Sequence, residues 1–409
     1  MATRKDLPLA GVRVLELSQI MAGPTCGLML SDMGAEVIKI EKFPGGDDAR
    51  GYARPGDPGL APGFLMLNRG KRSVAVDIRH PEGRKIIERL VAECDVVTEN
   101  FRRGKLDALG LGYDALRQIN PQLIYCSISG YGPAGDMAGQ GGFDMVLQAF
   151  SGLISVTGTG PGQYAKPGNS VADINAGILA ALGVVTAYVK RLRTGEGSRV
   201  DTSLLQASLQ QMYWFAAAYF FNGAVAQPMG TAHPLIAPYQ TFACRSGAIV
   251  LGGGNQPNWE RIAAVLGHPE WVQDPRFRTG RDRLAHREAL AQLIEAELAR
   301  DDAPAWVARF EAEGVPVGPL NNVQQALEHP QCRAIDMVID VDHPDGGSTR
   351  SLGCPIHFDE QAPFNGQAAP HIGQHTFEVL SEFGFEDAAL RQLQTQGVVH
   401  QHAKAVPAR

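Results

Sequence analysis

One aspartate differs from the other acidic residues of this chain in the sequence that surrounds it. Asp173 lies in the segment VADINAG at 171–177, directly before the apolar run Ile178–Val189. The run combines small and large apolar residues and predicts a buried helix, with Asp173 at or near its N-terminus. A carboxylate at that position can cap the helix or act as a nucleophile.

Both roles are open for Asp173 from the local sequence alone. Capping is the commoner role, because an aspartate carboxylate accepts hydrogen bonds from the free amides of the first helical turn. Covalent catalysis is the other, and a helix N-terminus stabilises the charged carboxylate by roughly 0.3–1 kcal/mol. The two roles are compatible, so the choice between them depends on the rest of the chain.

The composition is that of an ordinary globular protein. With 409 residues, 44% of them hydrophobic and 20% charged, the chain is long enough for two or three domains or one large discontinuous domain. The net charge of −6 gives no basic excess, which argues against a nucleic-acid partner. The six cysteines contain no C-x-x-C pair, so we expect reduced thiols in a cytoplasmic protein without a metal site.

The sequence also argues against a membrane partner. Arg4, Lys5 and Asp6 are followed by no unbroken apolar region of the kind that a signal peptide has. The run Ile178–Val189 is shorter than the ~20 residues that cross a bilayer. At the other end of the chain, residues 400–409 predict a loose polar tail, in which His400 and His402 are not expected to bind metal.

Alternating strands, loops and helices predict an α/β fold with a parallel sheet. The pattern places strands at 12–17, 36–41, 74–77, 95–100 and 123–128, and helices at 25–33 and 80–91. A smaller α/β domain is expected at 225–330. The predicted large domain is therefore formed by residues 1–224 and by 331–409, where the chain returns to it.

The loops after these strands carry the candidate ligand-binding residues. The turn after the first strand has only Gly23 and Gly27 and lacks the G-x-G-x-x-G motif, which disfavours an NAD site. Cations follow successive strands, and in open α/β sheets ligands bind at the carboxyl ends of the strands. Each cation alone is typical of a solvated surface, but together they would form an electropositive rim for phosphates: Lys42, Arg79, Arg102, Arg103 and Lys105.

Several motifs along the chain occur in one characteristic order. They are AGP at 22–24, GAEVIKIE at 34–41, KRS at 71–73, ENF at 99–101, SGYG at 129–132, Asp173, GVP at 314–316 and GQHT at 373–376. With these motifs the chain resembles the class III CoA-transferases, the family of formyl-CoA transferase and carnitine CoA-transferase, over nearly its whole length. The resemblance implies a Rossmann-like large domain, an interlocked homodimer, and CoA as part of the substrate rather than a metal-dependent reaction.

The resemblance also implies a role for each matching residue. Asp173 matches the family nucleophile, which attacks the donor acyl-CoA and passes through an aspartyl anhydride and an aspartyl-CoA thioester before the acceptor carboxylate reacts. Ala108 stands where the family usually has an arginine, so Arg103 or Lys105 is expected to replace it. The remaining matches are CoA contacts: Lys42 along the adenine, Val76, Asp77, Ile78 and Arg79 beside the nucleotide, and Asn100, Phe101 and Arg102 near the diphosphate.

Two alternative functions stay open at this stage. One is an α-methylacyl-CoA racemase, which needs two proton-exchanging groups, but Phe143 stands where the racemase has a histidine and cannot exchange a proton. Its neighbour Asp144 is expected to be a turn residue. The other alternative is a non-catalytic CoA-binding protein in which Asp173 is only a helix cap.

The family's range also suggests the substrates. Met21 stands where formyl-CoA transferase has a glutamine, which disfavours formate-type substrates. Succinyl-CoA is the expected donor, and a small di- or hydroxycarboxylic acid is the expected acceptor.

Overall fold

The computed structural model describes residues 6–53, 61–343, 347–363 and 366–403. Its contacts divide the chain into two compact units. The larger unit contains Met1–Leu153, Pro167–Ala224 and Pro330–Arg409, and the smaller contains Ile154–Lys166 and Val225–His329. Residues 154–166 thus belong to the smaller unit and not to the large domain in which the sequence pattern predicts them.

Strands and helices alternate along the first half of the described chain, as the sequence predicts. The strands are β1 (Arg13–Leu17), β2 (Glu36–Glu41), β3 (Arg72–Val76), β4 (Val96–Glu99), β5 (Ile124–Ser129), β6 (Gly158–Gly160), β7 (Gln163–Tyr164), β8 (Ser198–Ser203), β9 (Tyr239–Ala243), β10 (Ala248–Gly252), β11 (Val317–Pro319), β12 (Val338–Asp342), β13 (Ser348–Leu352) and β14 (Val399–His400). The helices are α1 (Ala22–Asp32), α2 (Pro62–Asn68), α3 (Pro81–Val91), α4 (Tyr113–Ile119), α5 (Asp144–Phe150), α6 (Val171–Thr194), α7 (Leu204–Gln210), α8 (Tyr213–Asn222), α9 (Gln256–Val265), α10 (Gly280–Ala285), α11 (Arg287–Leu298), α12 (Ala303–Ala312), α13 (Val323–Glu328), α14 (Pro330–Ala334), α15 (Thr376–Glu382) and α16 (Asp387–Thr395). Between β2 and α2, residues 54–60 lie outside the described residues, and a short 3-10 helix occupies Asp48–Gly51.

The larger unit is built on a seven-stranded, mainly parallel sheet, which confirms the predicted fold class. Its strand order is β14-β3-β2-β1-β4-β5-β8, and only β14 runs antiparallel to its neighbour. The chain leaves β1 towards β2 on one side and returns to pair with β1 again through β4 on the other side. This reversal creates a switch point at the carboxyl ends of β1 and β4, where open α/β sheets bind their ligands.

Both faces of this sheet are covered by helices. Leu15 and Ile38 are buried on one face in a cluster with residues of α3, α15 and α16, whereas Val14 and Val37 are buried on the other with residues of α1 and α6. Neighbouring residues of a strand point to opposite faces, so a sheet covered on both sides requires apolar residues at successive positions. That requirement explains the continuous apolar runs by which the strands are predicted.

Helix α6 is longer and less buried than the sequence predicts. It begins at Val171 and contains 24 residues rather than the 12 or so of the apolar run. Its small residues, such as Ala176 and Ala180, are buried, but Ile178, Leu182 and Leu192 are exposed. Among the described residues, α6 is the one helix that is long and apolar enough to cross a membrane, although its buried side packs against α1 and the sheet as a core helix does.

The predicted polar tail is wrong for the residues that the structure describes. Val399 and His400 form β14 and pair with Val76 and Ala75 of β3. The ring of His400 stacks on Phe43, with 3.7 Å between the ring centroids. Residues 404–409 of the predicted tail lie outside the described residues.

The smaller unit has its own sheet and core. Strands β9, β10 and β11 form an antiparallel sheet in the order β11-β10-β9. Phe242, Trp259 and Phe310 are buried together with apolar residues of α11. The β6–β7 hairpin within 154–166 is part of this unit.

Candidate active site

Two adjoining cavities lie at the switch point of the large sheet. One of about 240 Å³ is lined by Lys42 and is called here the Lys42 cavity. The other, of about 250 Å³, is lined by Asp173 and is called the Asp173 cavity. Gln19, Phe101 and Lys105 line both, so a single extended ligand can occupy the two together.

The Lys42 cavity contains the residues that match the nucleotide contacts of the family. Lys42 follows β2, and residues 76–79 begin at the last residue of β3, so both strand ends open into it. Arg79 is paired with Asp77 at 3.0 Å, and Lys42 is paired with Asp48. The cavity is thus bordered by cations that are already oriented by neighbouring carboxylates.

The Asp173 cavity contains the rest of the predicted site. Asn100, Phe101 and Arg102 line it together with Arg103 and Lys105. In the part of the chain that the structure describes, Arg102, Arg103 and Lys105 form no salt bridge with a carboxylate. All ten residues predicted to form the site therefore lie around these two cavities, and their individual roles remain predictions.

Asp173 lies in the first turn of α6 but does not cap it. Its backbone amide and that of Ala172 donate hydrogen bonds to Oδ1 of Asp144, at 3.3 and 2.9 Å. Ser170, at the N-cap position, makes no side-chain cap bond. The capping role of Asp173 and the turn role of Asp144 are therefore both wrong, since Asp144 begins α5 and caps α6 across the fold.

A close contact between two glycines allows Asp144 to reach α6. A Cβ atom on Gly142 would lie 2.7 Å from Cα of Gly130, so a side chain at either position would push the two loops apart. Gln148 then fixes the other oxygen of Asp144, because its Nε2 donates to Oδ2 at 2.6 Å. The sequence signals this arrangement only through Gly141 and Gly142, which precede Phe143.

The electrostatic setting of Asp173 suits a carboxylate that reacts near neutral pH. Burial, and secondarily the negative charge of Asp144, raise the pKa of Asp173 to about 7. A poorly solvated carboxylate of this kind is typical of functional sites. Among the described residues that line the cavity, Asp173 is the one carboxylate, and Phe143 presents a ring that cannot exchange a proton.

The loops after β1 and β4 are joined by a side chain whose role the sequence did not indicate. Asn100 accepts a hydrogen bond from the amide of Gln19 at 3.0 Å and donates one to its carbonyl at 2.9 Å. Its neighbour Glu99 accepts from the amide of Phe101 at 2.8 Å, and burial raises the pKa of Glu99 to about 7. The resemblance placed Asn100 near the diphosphate, and the structure adds that its amide group holds the turn beside Asp173.

Comparison with known protein families identifies the family of this chain. The family model described as CoA-transferase family III matches residues 9–376. The chain belongs to CoA-transferase family III. This confirms the enzyme class that the order of motifs predicts.

Relatives with assigned activities are similar over almost their full length. A succinyl-CoA:glutarate CoA-transferase of Mus musculus is 35% identical over 97% of this chain and 91% of its own. A succinate–glutarate CoA-transferase of Agrobacterium fabrum is 36% identical over 93% of this chain and 97% of its own. Both are CoA-transferases that act on acyl-CoA and carboxylic acids.

Two solved structures have the same fold as this chain. A CAIB/BAIF family protein from Brucella suis superposes with a TM-score of 0.83, at 38% identity, over 92% of this chain and 99% of its own. A protein from M. tuberculosis gives a TM-score of 0.81 at 30% identity, over 91% of this chain and 98% of its own. The Rossmann-like fold implied by the motifs is thus the fold of this family III chain.

Proposed function

We propose that this enzyme transfers CoA from succinyl-CoA to a small dicarboxylic acid, with glutarate as the first candidate acceptor. The names of the relatives from mouse and Agrobacterium fabrum support this pair of acids. A third relative, from Haloarcula hispanica, is a succinyl-CoA:mesaconate CoA-transferase at 34% identity. Succinate, free or as its CoA thioester, is common to these names, whereas the other acid varies.

The observation that carries the proposal is the position of Asp173. Its carboxylate faces a cavity that adjoins a second, cation-bordered cavity, and its helix is capped by another residue. CoA with its nucleotide in the Lys42 cavity would extend its thioester past Phe101 and Lys105 towards Asp173. The cations that form no salt bridge would then face the phosphates and the acyl carboxylate.

In the first half-reaction, a carboxylate oxygen of Asp173 attacks the thioester carbonyl of the donor. The carbon–sulfur bond breaks, leaving a mixed anhydride on Asp173 and CoA thiolate. The thiolate attacks the aspartyl carbonyl of the anhydride and expels succinate, which gives an aspartyl-CoA thioester. Covalent catalysis of this kind divides one difficult exchange into easier steps.

In the second half-reaction, the acceptor carboxylate attacks the aspartyl thioester and releases CoA thiolate again. The thiolate then attacks the acceptor carbonyl of the new anhydride, which forms the product acyl-CoA and regenerates the Asp173 carboxylate. Every step exchanges a carboxylate for a thiolate, so the sequence balances without an oxidant, a reductant or a net proton. An anhydride and a thioester are close enough in reactivity for the exchange to run in both directions.

We also propose that the enzyme is a homodimer and is cytoplasmic. Apolar side chains are exposed along one face of α6 and on α8, including Leu182, Leu192, Trp214 and Phe221. An exposed apolar surface of this kind supports a protein interface. The interlocked form implied by the family resemblance is one way for a second copy to cover it, and six free thiols support a reducing compartment.

Direct detection of the new acyl-CoA tests the proposed reaction. The enzyme is incubated with succinyl-CoA and, separately, with glutarate, mesaconate, oxalate, formate and acetate, and acyl-CoA products are separated by mass. Formation of glutaryl-CoA with an equal amount of succinate is the expected result. Absence of every new acyl-CoA, together with deuterium exchange at the α-carbon of a 2-methylacyl-CoA, would replace the transferase with the racemase.

A further inference from the structure

The turn after β1 contains a backbone conformation that its residue does not favour. Ile20 has a φ of 69°, in the left-handed region. Glycine and asparagine adopt this region readily, whereas a β-branched residue there is an outlier that persists only where the surroundings hold it. Ile20 lines the Asp173 cavity together with Met21 and Ala22, so the outlier lies directly at the proposed site.

A buried carboxylate holds Ile20 in this conformation. Oδ1 of Asp47 accepts the backbone amide of Ile20 at 2.9 Å and that of Ala49 at 2.9 Å. Asp47 is only 2% exposed, and its own amide donates to Oε1 of Glu41 at 2.9 Å. Both the side chain and the backbone of Asp47 are therefore fixed.

A network of buried charges prevents the Asp47 carboxylate from moving away. Nζ of Lys39 lies 2.8 Å from Oδ2 of Asp47 and 2.8 Å from Oε1 of Glu16, and the Lys39 and Glu16 side chains are fully buried. Lys39 also donates to the carbonyl of Ser18, at the start of the turn, at 2.9 Å. Because an unpaired buried charge is strongly destabilising, Lys39 and Asp47 stay together. Burial alone would raise the pKa of Asp47, but Lys39 and the amide hydrogen bonds lower it, so the carboxylate remains charged.

We propose that Asp47 is a positioning residue for the CoA transfer proposed above, on which this inference rests. By holding Ile20 in the left-handed conformation, Asp47 fixes how Met21 and Ala22 face Asp173, while Asn100 fixes Gln19 from the other side. Asp47 also lines the Lys42 cavity. One buried carboxylate thus lies between the proposed nucleotide site and the turn at the reacting group.

The expected effect of losing this restraint is on turnover rather than on CoA binding. A displacement of about 1 Å at a reacting centre lowers a rate by about a hundredfold. Without Asp47, Ile20 can relax to a negative φ, which turns the backbone of Met21 away from its present direction. The Lys42 cavity keeps its other walls, so the affinity for CoA changes much less.

Four variants test this proposal, with a matched control. Asp47→Ala removes the acceptor of the Ile20 amide. Ile20→Pro forbids the left-handed φ and removes the amide hydrogen that Asp47 accepts, while the charges of Asp47 and Lys39 stay in place. Ile20→Gly adopts that φ without strain, and it is made alone and together with Asp47→Ala. Asp32→Ala is the control, because Asp32 is an equally buried carboxylate that pairs with Arg69 at the far end of α1.

Three readouts separate positioning from folding. Turnover and KM are measured with succinyl-CoA and glutarate, unfolding temperature reports stability, and hydrogen exchange at the Ile20 amide reports the turn without any turnover. We expect a kcat about a hundredfold lower in Asp47→Ala and in Ile20→Pro, with KM for succinyl-CoA changed little. The double variant is expected to recover about tenfold over Asp47→Ala, because glycine removes the intrinsic penalty of the left-handed conformation.

The outcomes also separate this inference from the proposed function. An inactive wild-type enzyme would refute the proposed reaction, while faster exchange of the Ile20 amide in Asp47→Ala than in Asp32→Ala would still support the restraint. Equal kcat in Ile20→Pro and Ile20→Gly would overturn the proposal, and this comparison holds even if Asp47→Ala does not fold. An equal loss of kcat in Asp47→Ala and Asp32→Ala, at equal stability, would also overturn the proposal.

Discussion

At the scale of single residues, the raised pKa of Asp173 makes the rate depend on pH. Burial and the charge of Asp144 raise this pKa to about 7, and only the ionised carboxylate is a nucleophile. The kcat should therefore fall as the pH drops below about 7, by about tenfold per unit once the carboxyl is mostly protonated. Rates measured with succinyl-CoA and glutarate from pH 5.5 to 8.5 give this profile.

Asp144→Asn isolates the contribution of the second carboxylate. Asparagine keeps an oxygen that can accept the amides of Ala172 and Asp173, but it removes the negative charge. The pKa of Asp173 should fall, so the decrease in rate moves to lower pH while α6 remains capped. An unchanged profile in this variant would show that another group controls the rate.

The sequence predicts the positions of single residues in the elements but not their side-chain contacts. The position of Asp173 in the first turn of a helix could be predicted, because the apolar run after it is unambiguous. That the Asp173 side chain does not cap this helix could not be predicted. The cap comes from Asp144, 29 residues away, which the close contact of Gly130 with Gly142 brings to α6. The hydrogen bond between the Ile20 amide and Asp47 could not be predicted either, because nothing in the sequence around the two residues indicates it.

At the scale of elements, the contact between α1 and α6 sets the distance between the turn and Asp173. A Cβ atom on Gly177 would lie 2.5 Å from the carbonyl oxygen of Ala22 and 2.6 Å from Cβ of Thr25. Gly177→Ala should therefore push the N-terminus of α1 away from α6. We expect a loss of about 1–3 kcal/mol in the free energy of unfolding and a kcat lower by about tenfold or more.

Gly183→Ala is the matched control for this change. It lies in the same helix, and its Cβ would meet Cγ1 of Val200 at 2.6 Å, far along α6 from Asp173. It should lower stability by a similar amount and leave kcat unchanged. A similar loss of kcat in both variants would mean that the helix contact affects only folding. Denaturant unfolding and steady-state kinetics provide the two measurements.

Most elements of the sheet could be predicted, because both faces are covered and the strands are continuous apolar runs. Sequence reasoning missed β8, whose residues are only partly apolar, and β14, which has only two residues and no apolar periodicity of its own. The pairing of β14 with β3 comes from the three-dimensional position of the chain end, as does the contact of His400 with Phe43. The apolar run underestimates the length of α6, because the last turn of the helix is mostly polar.

At the scale of the whole molecule, the exposed face of α6 and α8 predicts the oligomeric state. Leu182 is 61% exposed and Phe221 is 90% exposed. Leu182→Glu places a charge in the proposed interface, where it would be buried and unpaired. Light scattering at about 10 μM, well above the dissociation constant of a stable dimer, should give a dimer for the wild type and a monomer or aggregate for the variant.

Ile119→Glu is the control for a charge on an exposed apolar residue. Ile119 is 40% exposed and lies at the end of α4 in the same unit. This variant should remain dimeric. A monomeric wild type, or equal effects of the two substitutions, would contradict the proposed interface.

The order of motifs along the chain could predict the family and the mixed α/β architecture, because several of the motifs lie in or beside strands that the sequence also indicates. It could not assign residues 154–166 to the smaller unit, since that depends on pairing within a β hairpin whose glycine-rich sequence has no apolar pattern. Nor does it name the acids exchanged, because the acceptor varies among relatives of similar identity.

Mass analysis of a trapped covalent intermediate tests the central claim most directly. The enzyme is mixed with succinyl-CoA, quenched during turnover, treated with hydroxylamine or borohydride, and digested for peptide mapping, with Asp173→Asn as the control. The account predicts an aspartyl hydroxamate or the reduced alcohol at Asp173 in the wild type and no modification in the variant. Continued CoA transfer by Asp173→Asn, or turnover by the wild type with no modification of Asp173 at any quench time, would contradict it.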